Sequence, residues 1–248
     1  MISVPVSSSG TPLRPFGDHG RDRSRRAARV FGGAVATAGL GYAVLHVLGR
    51  TSGSTRTERR RVLPGDELVK DPTVVTNHAV TIDAGPEAVW PWLTQMGWHR
   101  GGWYTPRWVD RLLFPANWPS AERLEPALVR DLRVGDSFPD GEPGTAELLV
   151  EQAEPPHVLV LHSTTHVPVQ WRQRWGAAID WVWTFALDER PGGRTRLQLR
   201  TQGRTRPWWL TAAYVGALVP ADHVMATGML HGIKLRVEGW QARRPAPD

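Results

Sequence analysis

The sequence predicts an α+β domain in which a curved antiparallel sheet closes over one long C-terminal helix. Three observations predict it. Strand-like runs at 146–153, 157–163, 181–188 and 195–201 are separated by Pro155-Pro156 and Pro191-Gly192-Gly193, the punctuation of antiparallel hairpins. A helical pattern then runs from Pro220 to Trp240, with Leu218, Val224, Met225, Met229, Leu230, Ile233 and Val237 supplying an apolar stripe. One strand and two short helices precede the run of strands, an order unlike the regular βα alternation of a parallel sheet.

The chain of 248 residues allows one domain of ordinary size plus extra segments. Residues 1–29 read as a disordered basic tail: the first 20 are rich in Ser, Pro and Gly, and Arg21, Arg23, Arg25, Arg26 and Arg29 follow. Val30 to Leu48 runs without a formal charge and is rich in Gly and Ala. As a helix it would extend about 28 Å, close to the thickness of a bilayer's hydrocarbon layer. No Ala-x-Ala cleavage signal follows it, where the chain reads GRTSGS, so residues 30–48 are expected to be an uncleaved transmembrane helix. This makes the chain a single-pass protein of the cell membrane. The side on which its domain sits is left open, because Arg50, Arg56, Arg59, Arg60 and Arg61 balance the five arginines before the span. Residues 49–72, punctuated by Pro64-Gly65-Asp66 and Asp71-Pro72, read as a linker, residues 73–240 as the folded domain, and 241–248 as a disordered tail.

Within the domain, Val74 to Ile82 alternates with β-branched residues and predicts the first strand. Asp83 to Glu87 opens a helix with an acid before Pro86 and Glu87 near the helix's positive end, and Gly97 closes it. A second helix is expected over Arg107–Phe114, and a short strand near Asp136–Phe138. Trp171, Trp175, Trp181 and Trp183 are assigned to the middle strands. Such a sheet must cover its concave face, and a long helix laid across it leaves a hollow that is the natural ligand site.

Charge argues against nucleic acid as a partner. Residues 1–61 hold eleven Arg against three acidic residues, whereas 62–248 hold nineteen Lys plus Arg against twenty-one Asp plus Glu. The domain therefore lacks the basic surplus that gripping a phosphate backbone requires. The absence of cysteine excludes disulfides, thiolate metal sites and cysteine nucleophiles. There is no Gly-rich phosphate loop, no HExxH and no nucleophile elbow, so no cofactor and no metal are expected. His162 and His166 on one strand would stand about 13 Å apart, too far to share an ion.

Several stretches carry a family resemblance: Pro64-Gly65-Asp66-Glu67-Leu68-Val69; Thr81-Ile82-Asp83-Ala84 with Pro86-Glu87-Ala88-Val89-Trp90-Pro91-Trp92-Leu93; Gln95-Met96-Gly97; Arg100-Gly101-Gly102-Trp103-Tyr104; and Met229-Leu230 with Gly232-Ile233-Lys234 and Arg236. Together they resemble the SRPBCC superfamily (START or polyketide cyclase–dehydrase-like), in an actinobacterial-type branch, over about residues 62–239. The resemblance implies the helix-grip fold and a cavity for lipids, polyketides or other hydrophobic molecules. It does not fix an activity, since one fold hosts carriers, sensors and cyclases. After RGGWY the branch pattern leads to an aromatic and an acidic residue. Here stand Thr105-Pro106-Arg107, with Asp110 the nearest acid.

The expected function is a membrane-tethered START-like protein that binds a hydrophobic small molecule or lipid, with Trp103, Tyr104, Trp183, Met225 and Met229 lining the site. The alternatives are a cyclase or aromatase-type enzyme, with His78 and Asp110 as candidate proton-transfer groups, and an interaction module whose cavity is filled by its own side chains. A convergence of His78, Tyr104 and Asp110 in the cavity would favour the enzyme; an apolar cavity would favour the carrier.

Overall fold

The computed structural model describes residues 18–113, 115–116 and 119–243. Most of the expected tail at 1–29 lies outside them, as do Phe114 and residues 244–248. Two compact units divide the chain, residues 1–43 and 44–248.

Helix α1 (Asp18–Thr51) begins earlier than the sequence suggested, because the Arg- and Ala-rich approach to the apolar stretch is itself good helix-forming sequence. It contains one segment, Arg29–Thr51, long and apolar enough to cross a membrane.

The domain is an α+β helix-grip. Its six strands are β1 (Val74–Ile82), β2 (Ser137–Pro139), β3 (Glu147–Glu154), β4 (Val158–Ser163), β5 (Ala178–Arg190) and β6 (Arg194–Arg206). They form one antiparallel sheet in the order β1-β6-β5-β4-β3-β2. The β5–β6 hairpin turns on Gly192 and Gly193, both at positive φ, where a side chain would be strained. A bulge between Val150 and Gln152 bends β3. Helices α3 (Pro86–Thr94) and α4 (Arg107–Leu113) follow β1. Helix α7 (Val219–Gln241) closes the fold after a short α6 (Trp208–Ala213) and a π-helical turn (Tyr214–Leu218).

The register sets the two faces. Val80 stands opposite Leu197, which stands opposite Leu187; His78 stands opposite Leu199, which stands opposite Phe185. These residues belong to the concave face, where Ile82, Leu159, Leu161 and Phe138 join them in the core. Helix α7 covers this face with Ala226, Met229, Leu230, Ile233 and Val237, a stripe of helical spacing, and α3 adds Val89, Trp92 and Leu93. The loop before α4 presses α7 onto the sheet. A Cβ on Gly232 would stand 1.9 Å from the Tyr104 carbonyl oxygen, so only glycine permits that approach.

The convex face carries Arg196, Gln198, Arg200 and Gln202 of β6, all pointing away from the core. Of residues 49–72, expected as a linker, 49–54 end α1 and follow the edge of β1, and the segment from Thr55 to Val69 is folded over this face. Helix α2 (Arg56–Arg60), with a capping box between Thr55 and Glu58, sits there. Glu58 accepts from Arg196 at 2.7 and 3.0 Å, and Asp66 accepts from Arg200 at 2.6 Å and from Gln202 at 2.8 Å. Val69 packs against Val160 and Val182. Residues 164–177, between the middle strands, hold α5 (Val169–Trp175), so Trp171 and Trp175 are helical rather than strand residues.

Candidate functional site

The concave face is filled at one end and hollow at the other. Around Ile82, Leu197 and Leu187 the helix stripe and the sheet meet in a packed core. Toward the first residues of α7 they part, leaving a cavity of about 180 Å³. By the space one water needs, roughly 10–15 Å³ on this measure, there is room for on the order of ten waters or an equivalent small molecule.

Each wall follows from strand alternation and helix spacing. Val74 and Thr76 come from β1, and Ile179, Trp181 and Trp183 from β5, two residues apart and so on one face. Val219, Asp222 and Met225 come from successive turns at the start of α7, and Tyr214 and Leu218 from the π-helical turn before it. Asp140 and His166, from the loops after β2 and β4, border it on the remaining side. The lining is predominantly apolar.

The residues singled out from the sequence fall in different places. Trp183 and Met225 line the cavity. Trp103 stands one layer back, its ring edge-on to Trp183 at 5.4 Å, and Trp183 meets the core through Phe185 at 6.4 Å. Trp183 is thus the partition between hollow and core. Met229, one turn beyond Met225, is turned into the packed core. Tyr104 lies against the other flank of α7, fully buried, donating to the Trp92 carbonyl at 3.0 Å with the Arg236 guanidinium over its ring. Burial raises its hydroxyl pKa, so it stays a neutral phenol. Asp110, on α4, is buried as the acceptor of the Thr105 and Ser120 hydroxyls, which ties both residues to that helix. His78 is buried on β1 with Nε2 3.0 Å from Asp222. The three polar candidates therefore do not converge: Tyr104 and Asp110 serve the loop, and His78 stands behind an acid that borders the cavity.

Residues that the sequence reading passed over make up much of the site. Trp181 could have been found, because it shares a strand face with Trp183. Ile179 follows by the same rule. Asp222 sits three residues before Met225 on the same helix, whereas Asp140, His166 and Tyr214 carry no periodic signal and only the fold brings them together. Burial pushes the Tyr214 hydroxyl up to about 12, so this wall is also neutral.

Two Asp–His pairs stand at the cavity: Asp140–His166 with both members on its wall, and Asp222–His78 with only the acid there. His166 has Nε2 2.9 Å from Asp140 and Nδ1 2.6 Å from Ser163 Oγ. This is the membership of a hydrolytic triad without its access. Ser163 is buried, is not part of the cavity wall, and its Oγ also accepts the Thr165 amide. The arrangement fixes the loop after β4. His162 lies on the opposite face of β4, between Glu151 at 3.1 Å and Asp180 at 2.7 Å. Among the described residues no group of three or more His, Asp or Glu is placed to hold a metal ion.

No family model matches the chain, and no curated protein matches it by sequence. Solved structures similar to it include protein MLL2253 from Mesorhizobium loti, 19% identical over 69% of this chain and 99% of that one, with a TM-score of 0.39. CalU16 from Micromonospora echinospora is 20% identical over 68% of this chain and 86% of its own, with a TM-score of 0.31. The hypothetical protein jhp0584 from Helicobacter pylori is 10% identical over 71% of this chain and 95% of its own, with a TM-score of 0.45. These likenesses concern the course of the chain and carry nothing about activity.

Proposed function

We propose that this protein is a membrane-tethered binder of a hydrophobic small molecule, lipid or polyketide-like, held between the sheet and the first turns of α7. The observation that carries the reading is the half-filled grip. The buried core extends to Trp183, and beyond it mostly apolar side chains line a space that the protein's own residues do not occupy. An apolar hollow of this kind gains affinity from the area a ligand buries, roughly 25 cal/mol per Å². The SRPBCC resemblance in the sequence points the same way, and Arg29–Thr51 has the length and composition of a tether.

A second reading is enzymatic. The observation behind it is the placement of Asp140 and His166 on the cavity border, together with Asp222 backed by His78, where paired acids and imidazoles could move protons on a bound chain.

Native mass spectrometry of the full chain released from detergent tests the first reading: a retained hydrophobic molecule is expected. Met225→Trp should fill the cavity and abolish that retention, while His166→Ala should leave it nearly intact. Retention unchanged in Met225→Trp would remove the cavity as the site. For the enzyme, positioned acid–base groups contribute about 10²–10⁴-fold to rate. Conversion of a polyketide substrate that disappears in His166→Ala with binding preserved would establish it.

A further inference from the structure

Beside the cavity stands a group of tryptophans that the core does not need. Trp171 and Trp175 of α5 meet Trp209 of α6, with all three ring-to-ring distances between 5.6 and 5.8 Å. Trp171 is 38%, Trp175 48% and Trp208 80% exposed. Exposed aromatics of this size are uncommon on a surface that meets only water, and Trp is the side chain enriched where water gives way to lipid.

The charge on the segments that carry them is one-sided, although Glu142 and Glu147 of a neighbouring loop and strand share a groove with Arg172. Arg172 and Arg174 lie on α5 and Arg206 just before α6, all exposed, with Arg174 over the Trp175 ring at 5.6 Å. Neither 164–179 nor 200–219 contains an Asp or Glu. The platform is thus apolar and cationic together, in a domain whose sequence from residue 62 onward is slightly acidic. That combination complements an anionic headgroup layer above hydrocarbon.

Two further observations place the cavity and the last turn of α1 at this platform. Its underside is a small cluster that includes Ile179, Trp181 and Tyr214, and those same residues line the cavity. Leu218 lines the cavity and is also 44% exposed, which marks where it opens. The last turn of α1 arrives at the same rim, where a Cβ on Gly49 would stand 1.9 Å from the Val219 carbonyl oxygen. Ser52 Oγ is 2.8 Å from His223 Nδ1.

We propose that the platform formed by Trp171, Trp175, Trp208 and Trp209 docks on an anionic bilayer surface and holds the cavity's open end against the lipid. The inference rests on the reading of a tethered hydrophobic-ligand binder and adds to it where the ligand enters. Exchange then takes place between cavity and headgroup layer, without the ligand crossing water.

The absence of cysteine makes a direct test simple. Trp208→Cys and, as a control on a distant exposed position, Val134→Cys are labelled with an environment-sensitive fluorophore in the full chain. Val134 is 72% exposed, so neither change disturbs packing. Each is reconstituted into phosphatidylcholine–phosphatidylglycerol vesicles containing lipids with a nitroxide quencher near the headgroup. The expected result is loss of emission at 208 and none at 134, with the loss at 208 reversed by Trp171→Glu combined with Trp175→Glu. Absence of quenching at 208, or equal quenching at both positions, overturns docking. So does a label at 208 whose shielding follows protein concentration and ignores the quencher, since that identifies a second copy as the occupant. Lipid analysis of the same preparations separates the two readings. Quenching without a bound ligand leaves docking standing and removes the binder. A bound ligand without quenching does the reverse.

Discussion

Single residues show where this fold tolerates nothing larger and where it is sensitive to acid. Gly232 lets α7 seat directly on the Tyr104 backbone, and any Cβ there meets a carbonyl that cannot move aside. Gly232→Ala is expected to destabilise the domain by at least the ~1–3 kcal/mol typical of overpacking, read as a lower urea midpoint. Gly135, on a turn with open space around it, is at positive φ, so its replacement by Ala should bring backbone strain without a clash and a smaller shift. Glu58 is the acid to watch. Its hydrogen bond with Arg196 lowers the carboxyl from 4.5 to about 2, against the opposing effect of burial and with help from the Thr55 amide. A carboxylate whose pKa is lower in the folded chain than in the unfolded one adds stability above its unfolded value. That stability fades as pH falls from 4.5 toward about 2. At about 1.4 kcal/mol per pKa unit, the contribution is on the order of a few kcal/mol. Glu58→Gln should therefore lower stability at neutral pH and flatten its decline between those two values, measured by denaturant titrations across the pH range.

Among the elements, α7 has most to hold. Ile233 is fully buried at the centre of its stripe, and Ile233→Ala should cost about 2–5 kcal/mol in a chemical denaturation series. A loss within the range of surface substitutions would mean that α7 is not what closes the sheet. This helix was legible from the sequence because its apolar residues recur at 3.6 spacing, and β1 was legible because Val74–Ile82 is β-branched at alternate positions. Helix α5 was not. Val169 to Arg172 alternate apolar and polar residues as a strand does, and tryptophan itself favours strands, which outweighed the i, i+4 spacing of Trp171 and Trp175. The segment over the convex face was missed for a different reason. Apart from Val69 and its neighbours its contacts are polar, and Arg196, Gln198, Arg200 and Gln202 have the pattern of a solvated strand face although they are covered. Within the candidate site, Trp183 and Met225 could be chosen because each lies on a readable element. The loop residues Asp140 and His166 owe their position to the way distant segments meet, which no local pattern records.

At the level of the whole molecule, the segment preceding β1 belongs to the domain energetically. Removing residues 1–49 leaves Glu58, Asp66 and Val69 on the convex face; removing residues 1–60 takes away Glu58 and exposes Arg196, the Gln198 amide and the Arg200 guanidinium. Leaving one partner of a mostly buried charged pair typically costs about 3–5 kcal/mol. The shorter chain is therefore expected to unfold several degrees below the longer one by calorimetry, on the order of 2–4 °C per kcal/mol at this size. Equal melting temperatures would show that the convex-face segment is passive.

The same segment has a consequence for contacts between molecules. Strand β1 is the outer edge of the sheet, and Ser52 and Ser54 occupy that edge: the Ala79 amide donates to the Ser52 carbonyl, and Ser54 Oγ donates to the Asn77 carbonyl. The other edge, β2, is three residues long. A bare β1 would offer unpaired amides and carbonyls to any extended chain nearby, the usual seed of strand-to-strand fibrils. Loss of residues 1–54 should therefore do more than weaken the fold. It should yield a chain that templates its own aggregation, visible as thioflavin-positive growth that the longer chain does not show.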